Sequence, residues 1–177
     1  MSSLVLFAFL CGFHLALLQF DYFFLLLLHV TSTYITYAVI VFSWMTGTLF
    51  GLLWNRLHPC LALLAGLASY YAIYGLVISN PLSASALPLA SVGVAITGLW
   101  AGRFFVVVFP FFGRIDFVLF HENNGFLLGI VAVFVGFTLL GKAFLLWSPL
   151  LSGMILLAHW SWLHSYWKRP ESVSVHQ

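Results

Sequence analysis

The chain has 177 residues, of which 63% are hydrophobic and 6% charged, with six Lys or Arg against four Asp or Glu and a mean hydropathy of +1.11. A water-soluble domain needs about 25% charged residues to coat its surface. A globular domain surrounded by water is therefore excluded, and with it a basic face for nucleic acid. The composition describes an all-α, polytopic membrane helical bundle whose main solvent is lipid.

One crossing takes about 20 apolar residues, because a helix rises about 1.5 Å per residue through about 30 Å of hydrocarbon. Six transmembrane helices meet this requirement in chain order, at about 4–28, 31–54, 60–78, 87–112, 117–140 and 143–167. His29 and Val30 turn the chain into Thr31, Ser32 and Thr33, whose hydroxyls suit the free amides of the second helix. Asn55, Arg56, His58 and Pro59 make the next break. A Ser/Pro-rich linker from Asn80 to Pro88 then divides the spans into two blocks of three. Gly113, Arg114 and Asp116 separate the fourth and fifth spans, and Gly141 with Lys142 the fifth and sixth. Residues 168–177 form a short polar tail. The first stretch lacks a basic leading region and is followed by further spans, so it reads as a retained helix rather than a secretory signal.

Basic residues near helix ends stay on the cytoplasmic side. With the amino terminus inside, Arg56, Arg114, Lys168 and Arg169 all fall in the cytoplasm, Arg103 can snorkel there, and Lys142 falls outside. The expected location is a bacterial plasma (inner) membrane with both termini cytoplasmic. Cys11 and Cys60 lie in or beside hydrocarbon and indicate neither a disulfide nor a metal site.

Lipid tails are as apolar as Leu, so helices associate through close backbone approach and polar contacts. Gly47 and Gly51, Gly98 and Gly102, and Gly125 and Gly129 are pairs spaced four apart, placed in the cytoplasmic halves of spans two, four and five. They predict a bundle pinched at that side and looser at the other. Trp54, Trp147, Trp160, Trp162, Tyr166 and Trp167 suit the aromatic belts, whereas the deeper Trp44 and Trp100 suit an interface with another subunit.

Ionisable groups at membrane depth are functional candidates until partners are found. Asp21 follows His14 by seven residues and so shares nearly the same face of the first helix, with Gln19 partly around it. Asp21 reads either as a proton or cation site or as a structural partner of Lys142, Thr33 or Tyr34. His121, Glu122, Asn123 and Asn124 are expected to open and cap the fifth helix. His14 and His159 fall at similar estimated depth and are the candidate ligands for a haem b or a pigment; otherwise no cofactor, metal site or catalytic constellation is expected.

Gly12, Phe13 and Gln19, then Ser32, Thr33 and Tyr34, then Gly47 and Gly51, resemble the opening of the polytopic membrane proteins related to spermidine synthase. The stretch from His121 to Gly129 resembles a later polar cluster and spaced glycines of that family. The resemblance covers the membrane-embedded region and departs from the family at the aminopropyltransferase-like domain its members carry, so polyamine synthesis is not carried over. Gly47 to Arg56 is also similar to the loop after the second helix of major-facilitator transporters, with Asn55 in place of the acidic residue.

Three functions are compatible with these features. The first is a non-catalytic accessory subunit packed among other membrane subunits, for example in a respiratory or photosynthetic electron-transfer complex. The second is a small-solute or proton-coupled transporter working as a homo-oligomer. The third is a haem- or pigment-binding subunit. In each, the bilayer is the first partner.

Overall fold

The computed structural model describes residues 2–30 and 34–167, with side chains for 3–30 and 34–163. The expected capping residues Thr31, Ser32 and Thr33, the side chains of His164, Tyr166 and Trp167, and the tail with Lys168, Arg169 and His176 lie outside the described residues. Six helices make up the fold: α1 Ser2–His29, α2 Tyr34–Leu53, α3 Pro59–Ser79, α4 Ala86–Phe112, α5 Ile115–Leu140 and α6 Lys142–Trp167. All six contain stretches long and apolar enough to cross a membrane, which makes this a multi-pass integral membrane protein.

The breaks follow local chemistry. Pro59 begins α3, where its missing N–H costs nothing, after an extended His58. Gly113 ends α4 in the left-handed region at φ +66°, with its N–H bonded to the Phe109 carbonyl, a conformation glycine adopts without penalty. The α3–α4 linker folds back on the first turn, since the Leu82 N–H bonds the His29 carbonyl at 2.9 Å.

Helix direction alternates, so the start of α1 and the end of α6 share one end of the bundle, called here the amino-terminal side; Phe7 and Trp160 meet there with ring centroids 5.4 Å apart. The two triplets delimited by the linker are blocks of sequence that interlock in space. The principal contacts of α1 are with α5 and α6, and those of α4 are with α2 and α3. Exchanging the triplets maps one set of pairings onto the other, with the helices running in opposite directions. The two leading helices are consequently the central ones. Their apolar windows are 50% and 56% buried, against at most 39% for the others.

Glycine explains these pairings. A Cβ added at Gly47 or Gly51 would fall on the carbonyl of Ala95 or Leu99, and one at Gly98 or Gly102 on that of Trp44 or Thr48. The numbers rise together on both helices, so α2 and α4 run parallel with backbone against backbone. Between α1 and α5, Gly125 meets the Phe9 carbonyl, Gly129 meets Phe13 and Ala16, and Gly12 meets the Glu122 carbonyl. Gly12 thus completes the second crossing from the α1 side.

These contacts fall in the half of α2 towards the amino-terminal side and around the middle of α4 and α5, so the close approach is nearer mid-bundle than the expected pinch at one end. Towards the other side α1 and α5 part to admit rings: Phe24 stacks on Phe137 at 4.5 Å and meets Phe134 edge-on at 5.4 Å.

Two substitutions test the crossings with opposite signs. Gly98→Leu is expected to cost at least the ~1–3 kcal/mol of an overpacked core, because its neighbours are backbone atoms that cannot move aside. Gly75→Ala, which meets nothing within 4 Å on an exposed face of α3, should be neutral or stabilising by up to about 1 kcal/mol. Thermal denaturation in detergent reads both, and equal effects would refute the packing assignment.

Candidate functional site

The buried polar groups converge where α6 lies against α1 and α3. Asp21 and His14, both fully buried, look at α6 from one face of α1. Ser148 Oγ donates to Asp21 Oδ2 at 2.5 Å. One turn further along α6, Ser152 Oγ lies 2.7 Å from His14 Nδ1. The Ser152 hydroxyl is already directed at the Ser148 carbonyl, 2.8 Å away, so it accepts from His14. That geometry places the imidazole proton on Nδ1 and leaves Nε2 with a lone pair. The result is a polar path from Asp21 to His14 over about 10 Å of helix rise, in which the two hydroxyls are linked not to each other but through the Ser148 backbone carbonyl that Ser152 Oγ donates to.

Both ends of the path are open. Asp21 Oδ1 and His14 Nε2 are buried without a hydrogen-bond partner among the described residues. Among the described residues no cation pairs with Asp21 either: the ion pair found there joins Arg114 to Asp116 at the α4–α5 turn. An isolated carboxylate buried from water is expensive whichever proton state it holds.

A proline positions the α6 hydroxyls. Pro149 is inside the helix and has no N–H to give the Leu145 carbonyl four residues earlier. The Tyr70 hydroxyl of α3 donates to that carbonyl at 2.7 Å, and the Tyr71 hydroxyl donates to the next one, Leu146, at 2.7 Å. Two tyrosines thus replace helical hydrogen bonding at the point where Ser148 faces Asp21. A second polar layer lies beside the first. Thr97 Oγ1 donates to the Gly93 carbonyl at 3.0 Å or that of Gly66 at 3.2 Å, and so receives the Tyr22 hydroxyl at 3.2 Å. Tyr22 meets Tyr70 edge-on at 5.0 Å, joining the layers.

Several expectations are corrected. Lys142 is exposed at the start of α6 and does not pair with Asp21, which lies at the level of Ser148, about 9 Å further along that helix. Tyr34 is 84% exposed and is not its partner. His14 and His159 do not face each other. His159 bonds the Ser3 carbonyl at 3.0 Å and stacks on Phe7, seven residues along α6 from the level of His14, or about 10 Å in height. Equal counting from helix ends misplaced them because α1 and α6 do not end flush.

Arg103 does not snorkel: α4 continues nine residues to Phe112, and the guanidinium is buried with Nε and Nη1 unpartnered among the described residues. Glu122 does not cap α5, which begins seven residues earlier; the acidic residue of its first turn is Asp116. His121 sits against Phe117 at 4.5 Å, and Asn124 Nδ2 donates to the Phe120 carbonyl. Trp44 and Trp100 are buried inside the bundle rather than on an intersubunit face. Gln19 is off the polar path and lines a 90 Å³ pocket with Phe20, Phe23, Tyr37, Ile40 and Val41.

Ser148, Ser152, Tyr22, Tyr70 and Thr97 were not singled out from the sequence. The available signal was Ser148-Pro149 followed by Ser152, two hydroxyls one turn apart flanking a helix-breaking residue. No protein-family model matches this chain, and no match was found among curated proteins or solved structures.

The tyrosine–proline arrangement makes a quantitative claim. Tyr70→Phe strands the Leu145 carbonyl and should cost about 1–3 kcal/mol, whereas Tyr74→Phe should cost less than 0.5 kcal/mol on the order of a neutral surface change. In a Tyr70→Phe/Pro149→Ala double mutant the restored amide at position 149 should recover part of the loss. Strict additivity in unfolding measurements would reject the assignment.

Proposed function

We propose that this protein is a proton-linked membrane carrier for a small solute, with Asp21 and His14 as its proton-handling groups and the α6 hydroxyls of Ser148 and Ser152 between them. The observation that carries the reading is the Asp21 carboxylate, buried at the junction of two interlocked and oppositely directed triplets and, among the described residues, hydrogen-bonded to Ser148 with no cation beside it. A buried carboxylate can take up a proton, and a rotation of the Ser152 hydroxyl away from the Ser148 carbonyl would be the step that links the two serines, one turn apart, into a relay to the imidazole. Carriers built from inverted repeats commonly place coupling groups at the repeat interface near mid-membrane. Arg56 and Arg114, exposed on the amino-terminal side, against Lys142 on the other, support assigning that side to the cytoplasm of a bacterial cell.

The test is proton flux in reconstituted vesicles under an imposed pH gradient, with a panel of amino acids, carboxylates and amines as solutes. Wild-type protein should dissipate the gradient faster than empty vesicles. Asp21→Asn should return the rate to that of empty vesicles, and Ser148→Ala should slow it about tenfold. Undiminished flux through Asp21→Asn would sink the reading.

A second reading, an accessory subunit of a larger membrane complex, is favoured by α5. Asn123 and Asn124 are exposed about 12 Å along that helix, between exposed Phe120 and Leu127; Asn124 turns its Nδ2 back to the Phe120 carbonyl, and lipid offers the Asn123 amide no partner. If a neighbouring subunit covers this face, the protein should co-purify with it in mild detergent, and Asn123→Leu/Asn124→Leu should release it without loss of folding. Purification of the native protein as a single polypeptide would remove this reading.

A further inference from the structure

The crossing of α1 with α5 carries a feature separate from the Asp21 path. Glu122 is only 7% exposed and eight residues into the helix numbering from Ile115, yet none of the described Lys, Arg or His side chains pairs with it. Its carbonyl is pinned against Gly12, which fixes the backbone and turns the side chain towards a cleft between α1, α2, α4 and α5. That cleft has a volume of 290 Å³. Trp44, Phe105 and Phe126 form aromatic walls, and Thr48 and Glu122 contribute its polar lining. The Thr48 hydroxyl is already committed to the Trp44 carbonyl at 3.0 Å. The Glu122 carboxylate is thus the free polar group of the cleft. Met45 and Leu49, more than half exposed, make a rim on the lipid-facing surface of the bundle.

We infer that this cleft is a binding site for a small lipophilic organic cation, a quaternary ammonium or protonated amine bearing one apolar substituent. Three features select that chemistry. An uncompensated carboxylate in an apolar setting selects positive charge over negative or neutral polar groups. Ring faces attract a cation whose charge is spread over methyl groups, since such a group sheds water at little cost. The volume is at the lower end of the about 300–1,000 Å³ of small-molecule sites, which admits one ring or a short chain with its charged head. A lipid acyl chain would fill the apolar part and leave Glu122 unpaired. The site does not depend on the carrier reading, because the prediction concerns equilibrium binding at a different carboxylate.

The experiment measures binding of radiolabelled benzyltrimethylammonium to the full-length detergent-solubilised protein by equilibrium dialysis, with quenching of tryptophan fluorescence as a second readout. Its uncharged carbon isostere, neopentylbenzene, is the competitor. The wild-type protein should bind the cation saturably and prefer it to the isostere by about tenfold or more. Glu122→Gln should abolish that preference while leaving isostere binding unchanged, and Phe126→Leu, which keeps apolar bulk but removes a ring, should weaken the cation selectively. Equal affinity of wild-type protein for the two probes, no saturable binding, or an unaltered preference in Glu122→Gln overturns the proposal. If Glu122→Gln fails to give monodisperse protein, the wild-type preference between the two probes decides the question. Flux through Asp21 is unaffected by any of these outcomes, so failure here and failure of the carrier reading are distinguishable.

Discussion

In a bilayer there is no water for apolar side chains to escape, so the arrangement of these helices depends on how closely their backbones approach. Here that approach is made by glycine: the Gly47–Gly51 and Gly98–Gly102 pairs mate α2 with α4, and Gly12 on α1, set against Glu122, with Gly125 and Gly129 on α5, set against Phe9 and Phe13, mate α1 with α5. Both crossings are parallel, which requires each pair to skip an intervening helix in the first triplet or cross the linker to the second. The interlocking of the triplets is the geometric consequence. Once α1 is held against α5 and α4 against α2, the central position of α1 and α4 leaves α6 and α3 to close the bundle on either side.

That closure brings polar atoms together that are far apart in the chain. His14 and Asp21 face Ser152 and Ser148 across 138 and 127 residues of sequence. The Pro149 gap in α6 is covered by hydroxyls from α3, so the helix carrying the serines is held in place by the helix that also supports Tyr22. Side-chain function and backbone repair therefore occupy the same few ångströms. The Glu122 cleft depends on the packing in another way: the close contact of its carbonyl with Gly12 fixes the turn of α5 from which the carboxylate projects.

The membrane setting and the six spans were legible because hydrocarbon thickness and backbone hydrogen bonding leave few choices of element length and type. Helix ends at Pro59 and Gly113 were legible for a similarly local reason. The glycine pairs could be read as packing surfaces, and they are. Which helices they join could not, since small-residue spacing marks a face without naming its mate. The seven-residue spacing put Asp21 and His14 on one face, because that is a relation within one helix. Depth counted from helix ends failed for His14 with His159, and a shared side failed to pair Asp21 with Lys142, because relations between helices depend on how far each projects past its neighbour.

The sequence by itself determined the solvent, the number of crossings and the residues able to touch backbone to backbone, all of which follow from composition and from spacings of a few residues. The tertiary structure alone decided that α1 lies against α5 and α6, that a serine rather than a lysine meets Asp21, and that Glu122 opens into an aromatic cleft. Those outcomes rest on the register between helices many residues apart, which close packing of whole surfaces fixes and no local pattern encodes.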